Sequence, residues 1–374
     1  MSSNHRSETG STIAIRKPVF NSILRRLKEN GYQTIGPRIK NETLVYEPIE
    51  NIDELPCSYI TEQKAGSFRL TQASHKHYFD AIPGAQSWKQ FLFPPCVDLF
   101  TLRKNGAGWE TSNSRIDSPG YAFIGVRACE LAAIQIQDSI FMRSDFTDPT
   151  YRERRQRVFI VSVNCLAPSG TCFCASMGSG PRVKDGFDLN LTELDDAFLL
   201  TVGSELARNL LDGIEYEDAS AFMLTTAEHA LERAAQQMGR TLDVSDLPKL
   251  ILKNLDSSRW KEIGERCLSC GNCTQVCPTC FCWDAVDQMS LDGKTTSRTR
   301  FWDSCFNPGF SYLAGGNTRP TIASRYRQWL SHKLGTWKEQ HGTLGCVGCG
   351  RCITWCPAGI DLTEEVAALR KEAR

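Results

Sequence analysis

The sequence predicts an α/β domain followed by a smaller domain that is α-helical and rich in cysteine. Three observations support this fold class. Compact apolar segments at 121–126 and 158–163 flank a helical pattern at 130–141, and this order of strand, helix and strand is typical of a parallel sheet. Two cysteine runs of identical spacing lie in the last third of the chain, at 267–277 and 346–356. The segment between the runs has helical patterning and few β-hairpin signals.

The individual elements follow from local patterns. Apolar residues recur at helical spacing from Phe20 to Lys28 and stop at Asn30-Gly31, a common C-terminal cap of helices. Short apolar or alternating runs predict strands, and amphipathic runs predict helices. Further strands are expected at 43–46, 68–71 and 198–202, and further helices at 206–211, 219–237, 284–289, 320–334 and 366–371.

These patterns divide the chain into four parts. We expect a polar N-terminal tail at 1–13 and an α/β domain at 14–215. A helical linker at 216–256 then leads into a helical, cysteine-rich domain at 257–374. With 374 residues, the chain is long enough for two domains that each bury a core.

Composition narrows the class of protein. Lys plus Arg and Asp plus Glu both number 43, so no net charge favours nucleic acid or an anionic membrane. No apolar run approaches the length of a membrane span, and the polar start has no hydrophobic signal region. We therefore expect a cytoplasmic protein that binds neither nucleic acid nor membrane. Its 17 cysteines, an odd number without a secretion signal, favour metal ligation over a disulfide framework.

The two cysteine runs have the spacing of bacterial ferredoxins. Both read C-x2-C-x2-C-x3-C-P, in which three closely spaced thiolates bind one 4Fe-4S cluster and the fourth cysteine ligates the other cluster. We therefore predict an α-helical two-cluster ferredoxin-like domain. The first cluster is expected on Cys267, Cys270, Cys273 and Cys356, and the second on Cys346, Cys349, Cys352 and Cys277. The alternative is a pair of zinc sites, but zinc ribbons use two separated C-x2-C pairs without this third cysteine.

Four further cysteines follow two of the predicted strands. Cys129, Cys165, Cys172 and Cys174 fall in loops at the edge where open parallel sheets place their ligand sites. Two interpretations stay open for these residues. They form a third iron-sulfur cluster site, or they are ordinary buried cysteines, since cysteine is among the most interior residue types.

The remaining candidate residues have simpler interpretations. Cys280, Cys282 and Cys305 lie near the first run, and we interpret them as packing residues around it because eight ligands already serve two clusters there. Basic-aromatic segments at 298–302 and 325–329 are interpreted as packing against the clusters or a partner subunit. We assign no function to Cys57 and Cys96, and interpret His75 and His77 as solvated.

Five segments carry a resemblance to a known family: Gly125 to Glu130, Asn164-Cys165, Cys172 to Pro181, Gly186 to Leu189 and Gly345 to Pro357. They resemble the 4Fe-4S dicluster family. That family includes the beta subunit of cytosolic NiFe hydrogenases, also called sulfhydrogenases, and the A subunit of anaerobic sulfite reductase. The similarity runs from about residue 80 to the end of the chain. One departure is Ala128-Cys129-Glu130, where the family pattern is Pro-Cys-Asp.

The resemblance implies an electron-transfer subunit of a cytosolic NiFe hydrogenase. Such a subunit relays single electrons through 4Fe-4S clusters between a flavin/NAD(P)H-binding subunit and the small and large hydrogenase subunits. The A subunit of an anaerobic sulfite reductase is the alternative within the family, and an iron-sulfur redox sensor or scaffold is the alternative from another class. The chain has no G-x-G-x-x-G dinucleotide fingerprint, and we expect no catalytic residue and no cofactor besides the clusters.

Overall fold

The computed structural model describes residues 8–113, 119–143 and 145–372, so the first seven residues of the predicted tail lie outside the described residues. Sixteen strands are present in this part of the chain: β1 Thr12–Arg16, β2 Tyr32–Lys40, β3 Thr43–Pro48, β4 Tyr59–Lys64, β5 Ser67–Gln72, β6 Cys96–Asn105, β7 Gly108–Asn113, β8 Gly120–Arg127, β9 Val158–Val163, β10 Leu189–Glu193, β11 Ala197–Val202, β12 Glu217–Asp218, β13 Trp283–Met289, β14 Thr295–Trp302, β15 Tyr312–Leu313 and β16 Gly316–Asn317.

The α-helices of the described residues are α1 Phe20–Glu29, α2 Lys89–Leu92, α3 Ala128–Phe141, α4 Pro149–Arg155, α5 Glu205–Leu210, α6 Ala221–Gln236, α7 Leu247–Lys253, α8 Arg259–Arg266, α9 Asn272–Gln275, α10 Ile322–Ser331, α11 Trp337–His341, α12 Arg351–Thr354 and α13 Leu362–Glu372. A π-helical turn, His332–Thr336, joins α10 to α11. None of the described helices is both long and apolar enough to cross a lipid bilayer.

An eight-stranded mixed sheet forms the centre of the N-terminal part. Its strand order is β12-β1-β11-β10-β9-β8-β2-β3, and the four strands β10, β9, β8 and β2 run parallel to one another. Helices α1 and α5 cover one face, where Phe20 and Leu210 pack with Ile124. Helix α3 and Tyr151 of α4 cover the other face against Phe123. This arrangement confirms the strand, helix, strand unit that the sequence predicts around residues 121–163.

A second sheet takes strands from both parts of the chain. Its order is β13-β14-β6-β7, and β14 pairs antiparallel with β6. The helix predicted at 284–289 is therefore wrong, since this segment is strand β13 of a hairpin with β14. Apolar residues at 285, 286 and 289 suit either helix or strand over so short a window. Pairing of the hairpin with β6, which lies far away in sequence, decides between the two.

Helices α7, α8, α10 and α13 surround the core of the C-terminal part. Leu250, Ile263, Leu330 and Val366 are buried together there. The helix predicted at 320–334 is present as α10 and the π-helical turn after it. A single helical turn lies within each cysteine run, α9 in the first and α12 in the second. Because strands β13 to β16 also lie in this part, the cysteine-rich region is not purely helical, and the domain boundaries stay a prediction.

Candidate metal centres

The first set of thiols, Cys267, Cys270, Cys273 and Cys356, surrounds one cavity. Gly271 adopts a left-handed conformation with φ 76° directly before α9. This conformation turns the chain back so that the run wraps around the cavity. Tyr326 and Trp329 of α10 form an aromatic wall of the same cavity. Cys356 comes from the second run, so the structure brings together the residues predicted to bind the first cluster.

The second set of thiols is Cys277, Cys346, Cys349 and Cys352. These side chains lie close enough to interact electrostatically: burial, followed by the neighbouring Cys346, Cys349 and Cys277 thiols, raises the pKa of Cys352 well above its usual value. Burial also raises the pKa of Cys346 to about 12. Burial disfavours the thiolate form of Cys346 and Cys352, and a bound metal cation would stabilise that form.

Close backbone contacts join the second run to the loop 171–174. The Phe173 N-H donates to the Gly348 carbonyl at 2.9 Å. Gly350 has φ 76°, and a Cβ at this position would lie 2.5 Å from the Thr171 carbonyl oxygen. Only glycine permits both this backbone conformation and this approach. The two loops therefore hold their cysteines side by side.

A third group of thiols, which we call the sheet-edge set, meets in a second cavity. Cys129 lies in the first turn of α3, directly after β8, and Cys165 follows β9. Because β8 and β9 are adjacent and parallel, their carboxyl ends bring both residues to one edge of the sheet. Cys172 and Cys174 reach the same cavity from the next loop, together with Cys349 of the second set. The structure therefore brings together the four cysteines that the sequence places in one candidate site.

Buried charges border the sheet-edge cavity. Arg127 donates to the Cys165 sulfur at 3.1 Å. Arg351 forms a buried ion pair with Glu130, and the other Glu130 oxygen accepts from the Trp88 indole N-H at 3.2 Å. Glu130, which replaces the Asp of the family pattern, thus holds Arg351 in place.

Lys333 is a buried cation that the sequence patterns do not reveal. It lies in the π-helical turn after α10, a distortion that often marks functional positions. Its ammonium group donates to the Cys277 sulfur at 3.2 Å and to the Gly345 carbonyl at 2.8 Å. Burial alone would lower the pKa of Lys333, but the Cys277, Cys280 and Cys346 thiolates raise it well above its usual value. Lys333 therefore supplies a positive charge to the second set.

Three cysteines outside these sets line a separate cavity. Cys280, Cys282 and Cys305, which we call the hairpin set, surround an opening beside Lys333 and the π-helical turn. The sequence interpretation treats them as packing residues around the first run. In the structure they border a cavity of their own. Cys57 and Cys96 line none of the thiol cavities described here.

The predicted solvated state of the histidine pair applies to His75 alone. His75 is exposed, whereas His77 is half-buried, and both contact one Asp80 oxygen, at 2.6 Å and 2.9 Å. Among the described residues, this is the one group in which three potential metal-ligand atoms lie within 4.8 Å of one another.

A single tetrahedral zinc ion bound by cysteines needs sulfurs about 3.8 Å apart. In the part of the chain that the structure describes, no three cysteine sulfurs lie within 4.8 Å of one another, so no cysteine set there is arranged for a single zinc ion.

Several side chains of the basic-aromatic segments pack inside the protein, whereas Arg298 is exposed. Arg300 of β14 forms an ion pair with Asp148 and lies over the Phe93 ring. Tyr326 and Trp329 are buried beside the first set. These contacts agree with the packing interpretation of both segments.

The fold and the thiol sets define an iron-sulfur protein. Residues 266–360 match the model of the 4Fe-4S dicluster domain family, so 4Fe-4S clusters are cofactors of this chain.

Over 368 residues the chain is 31% identical to the sulfhydrogenase 2 subunit beta of Pyrococcus furiosus, and the alignment covers 96% of this chain and 98% of that subunit. The chain therefore belongs to the family of this subunit. No solved structure matches the chain.

Proposed function

We propose that this chain is the electron-transfer subunit of a multi-subunit cytosolic NiFe hydrogenase. It relays single electrons between a flavin/NAD(P)H-binding subunit and the small and large hydrogenase subunits, and it supplies no catalytic residue. The observation that carries the proposal is that the cavities of neighbouring thiol sets adjoin one another. Cys352, in the second set, also borders the first cavity, and Cys349 also borders the sheet-edge cavity. Neighbouring sites therefore share a wall.

The thiol sets provide the ligands in this proposal. The first cluster is held by Cys267, Cys270, Cys273 and Cys356, and the second by Cys346, Cys349, Cys352 and Cys277. The sheet-edge set, Cys129, Cys165, Cys172 and Cys174, holds a third. The soft thiolate donors and their ferredoxin spacing support the first two assignments, and the shared cavity supports the third.

The protein supplies the surroundings that make such a relay work. A bound 4Fe-4S cluster accepts and releases one electron at a potential set by charge, hydrogen bonds and burial. Tyr326 and Trp329 restrict water at the first set. Lys333 and Arg351 place positive charge at the second set, which favours the reduced state there. The Arg351 charge is offset by Glu130, so Lys333 has the larger effect.

Support for the hydrogenase assignment comes from the relative. That protein is named as a sulfhydrogenase subunit, and the alignment extends over nearly the full length of both chains. The α/β part, with the sheet-edge set, is therefore included in the similarity along with the two cysteine runs.

Anaerobic co-purification tests the complex. A tag on the native chain is expected to bring down a flavoprotein and the small and large hydrogenase subunits, identified by mass spectrometry. Recovery of a sulfite reductase catalytic subunit instead would support the family alternative. A chain that purifies alone and binds DNA or a regulatory protein would support the sensor alternative. Either result would overturn the hydrogenase proposal.

Replacing a ligand within the complex tests the relay. Cys349→Ala removes a thiol that borders two sites, so NAD(P)H-linked hydrogen turnover should fall at least tenfold while dye-linked hydrogen uptake by the other subunits persists. Cys96→Ala, at an exposed cysteine away from the thiol cavities, is the matched control. Full NAD(P)H-linked activity in Cys349→Ala would contradict electron passage through this chain.

A further inference from the structure

The hairpin set lies at the base of the β13–β14 hairpin. Cys280 and Cys282 precede β13, and Cys305 follows β14. Trp283 pairs with Trp302 at the start of the ladder, and the Asp303 N-H donates to the Cys282 carbonyl at 2.9 Å. The backbone thus brings the C-x-C segment and Cys305 to one place, even though they are far apart in sequence.

The three thiols face a cavity of about 240 Å³. Its other walls include the ring of Trp329, which also borders the first set, and the side chains of His332 and Lys333. The cavity therefore adjoins both established cysteine runs. His332 contacts the Gln340 side-chain oxygen through Nε2 at 3.2 Å, which leaves Nδ1 available as a ligand atom.

The charges around this cavity favour an anionic occupant. Lys333 is buried, and its ammonium group contacts Thr279 at 2.8 Å between the second set and the hairpin set. Lys89, also buried, donates to the Cys280 carbonyl at 3.3 Å and lies 3.8 Å from the centre of the Trp302 ring. In the described ranges neither lysine forms an ion pair with a carboxylate. A buried cation needs compensating negative charge, and thiolate-bound clusters provide it.

The local sequence repeats that of the sheet-edge set. Thr-Cys-Phe-Cys occurs at 171–174 and again at 279–282. In each copy the phenylalanine packs into a hydrophobic core, Phe173 in one and Phe281 against Trp337 in the other. In each copy both cysteines line a cavity, the sheet-edge cavity for Cys172 and Cys174 and the hairpin cavity for Cys280 and Cys282.

We propose that Cys280, Cys282 and Cys305 hold a further iron-sulfur cluster, with His332 as the candidate fourth protein ligand. This inference adds a site beyond those named in the proposed function and does not depend on which complex the chain joins. Trp283, which also lines the cavity, is 45% exposed, so the site lies nearer the surface than the second set.

Metal and sulfide analysis of the anaerobically purified full-length chain tests this site. The double variant Cys282→Ala/Cys305→Ala should contain about four fewer iron atoms and about four fewer sulfide ions per chain than the wild type. The matched control, Cys57→Ala/Cys96→Ala, should keep the wild-type content. Low-temperature electron paramagnetic resonance should show the loss of one signal with the other cluster signals retained. Unchanged iron and sulfide, or loss of one zinc per chain instead of iron, would overturn the proposal.

Differential alkylation gives a second answer that does not rely on folding of the variant. The wild-type chain is treated anaerobically with iodoacetamide before and after iron is removed by a chelator, and the modified cysteines are identified by mass spectrometry. Cys282 and Cys305 should be protected until iron is removed, while the exposed Cys96 reacts at once and serves as an internal control. Alkylation of Cys282 and Cys305 while iron is still bound would show that they are free thiols. Neither measurement depends on the partner subunits, so the two proposals fail separately.

Discussion

The Lys333 ammonium group lies 3.2 Å from the Cys277 sulfur in the interior of the protein. Both residues are buried, and contact with the Cys280 thiol together with the Lys333 charge holds the pKa of Cys277 below its usual value. Cys277 belongs to the first run but is predicted to bind the second cluster. It is thus paired with a positive charge.

Removal of this charge should make the second cluster harder to reduce. In Lys333→Met, the reduction potential of one cluster should fall by on the order of 50–100 mV, since a unit charge a few ångströms away is removed from a partly buried site. A redox titration followed by electron paramagnetic resonance measures the change. Lys338→Met, at an exposed lysine of α11, should leave every potential unchanged. Equal potentials in Lys333→Met and the wild type would contradict the assigned role of Lys333.

Alanine variants at Gly350 and Gly342 distinguish the stability cost of backbone strain from the cost of a steric clash. Both glycines have φ 76°, but a Cβ at Gly342 has no atom within 4 Å, whereas one at Gly350 meets Thr171. Gly342→Ala should therefore cost about 1 kcal/mol of unfolding free energy, the usual penalty for a side chain in this conformation. Gly350→Ala should cost about 2 kcal/mol more, because the Thr171 loop must move.

Urea unfolding and iron content under anaerobic conditions check this difference. Gly350→Ala is expected to lose iron because the loop that carries Cys172 and Cys174 is displaced, while Gly342→Ala keeps its iron. Equal stability and equal iron content in the two variants would show that the loop contact does not matter.

The His77–Asp80 pair should make stability depend on pH. The hydrogen bond to Asp80, opposed by burial, raises the pKa of His77 above its usual value of 6.5. The folded state therefore holds this proton more tightly than the unfolded state, and the stabilisation is complete below about pH 6.5 and is lost as pH rises through the raised pKa. His77→Gln should lower stability by about 0.5–1 kcal/mol at pH 6 and by less at pH 9.

Anaerobic thermal unfolding of both proteins across this pH range measures the effect. His229→Gln, at an exposed histidine of α6, should unfold like the wild type at every pH. A stability difference between His77→Gln and the wild type that grows with rising pH would contradict this prediction.

Local patterns predict the elements that bury an apolar face. Strands β8 and β9 and helix α3 lie where their apolar periodicity places them, because each buries its apolar residues against the same sheet. Strand β13 is not predicted, because its partner β14 is itself held by β6 about 200 residues earlier, and no local window contains that information.

The candidate metal centres are predictable where their cysteines are closely spaced in sequence or follow neighbouring strands. The ferredoxin runs identify the first two thiol sets, and positions after β8 and β9 identify the sheet-edge set. The hairpin set is assigned a packing role instead, because Cys305 reaches Cys282 only through the β13–β14 ladder. No sequence pattern identifies Lys333, because its role as a positive charge at the second set depends on its contact with Cys277 in the fold.

The pairing of β14 with β6 also sets an order of assembly. During synthesis β6 leaves the ribosome long before β14, so the N-terminal half is available as a template when the cysteine-rich half emerges. A gene fragment that encodes only the cysteine-rich half would leave β14 as an open edge that readily joins other chains. Recombinant production and cofactor loading should therefore use the intact polypeptide.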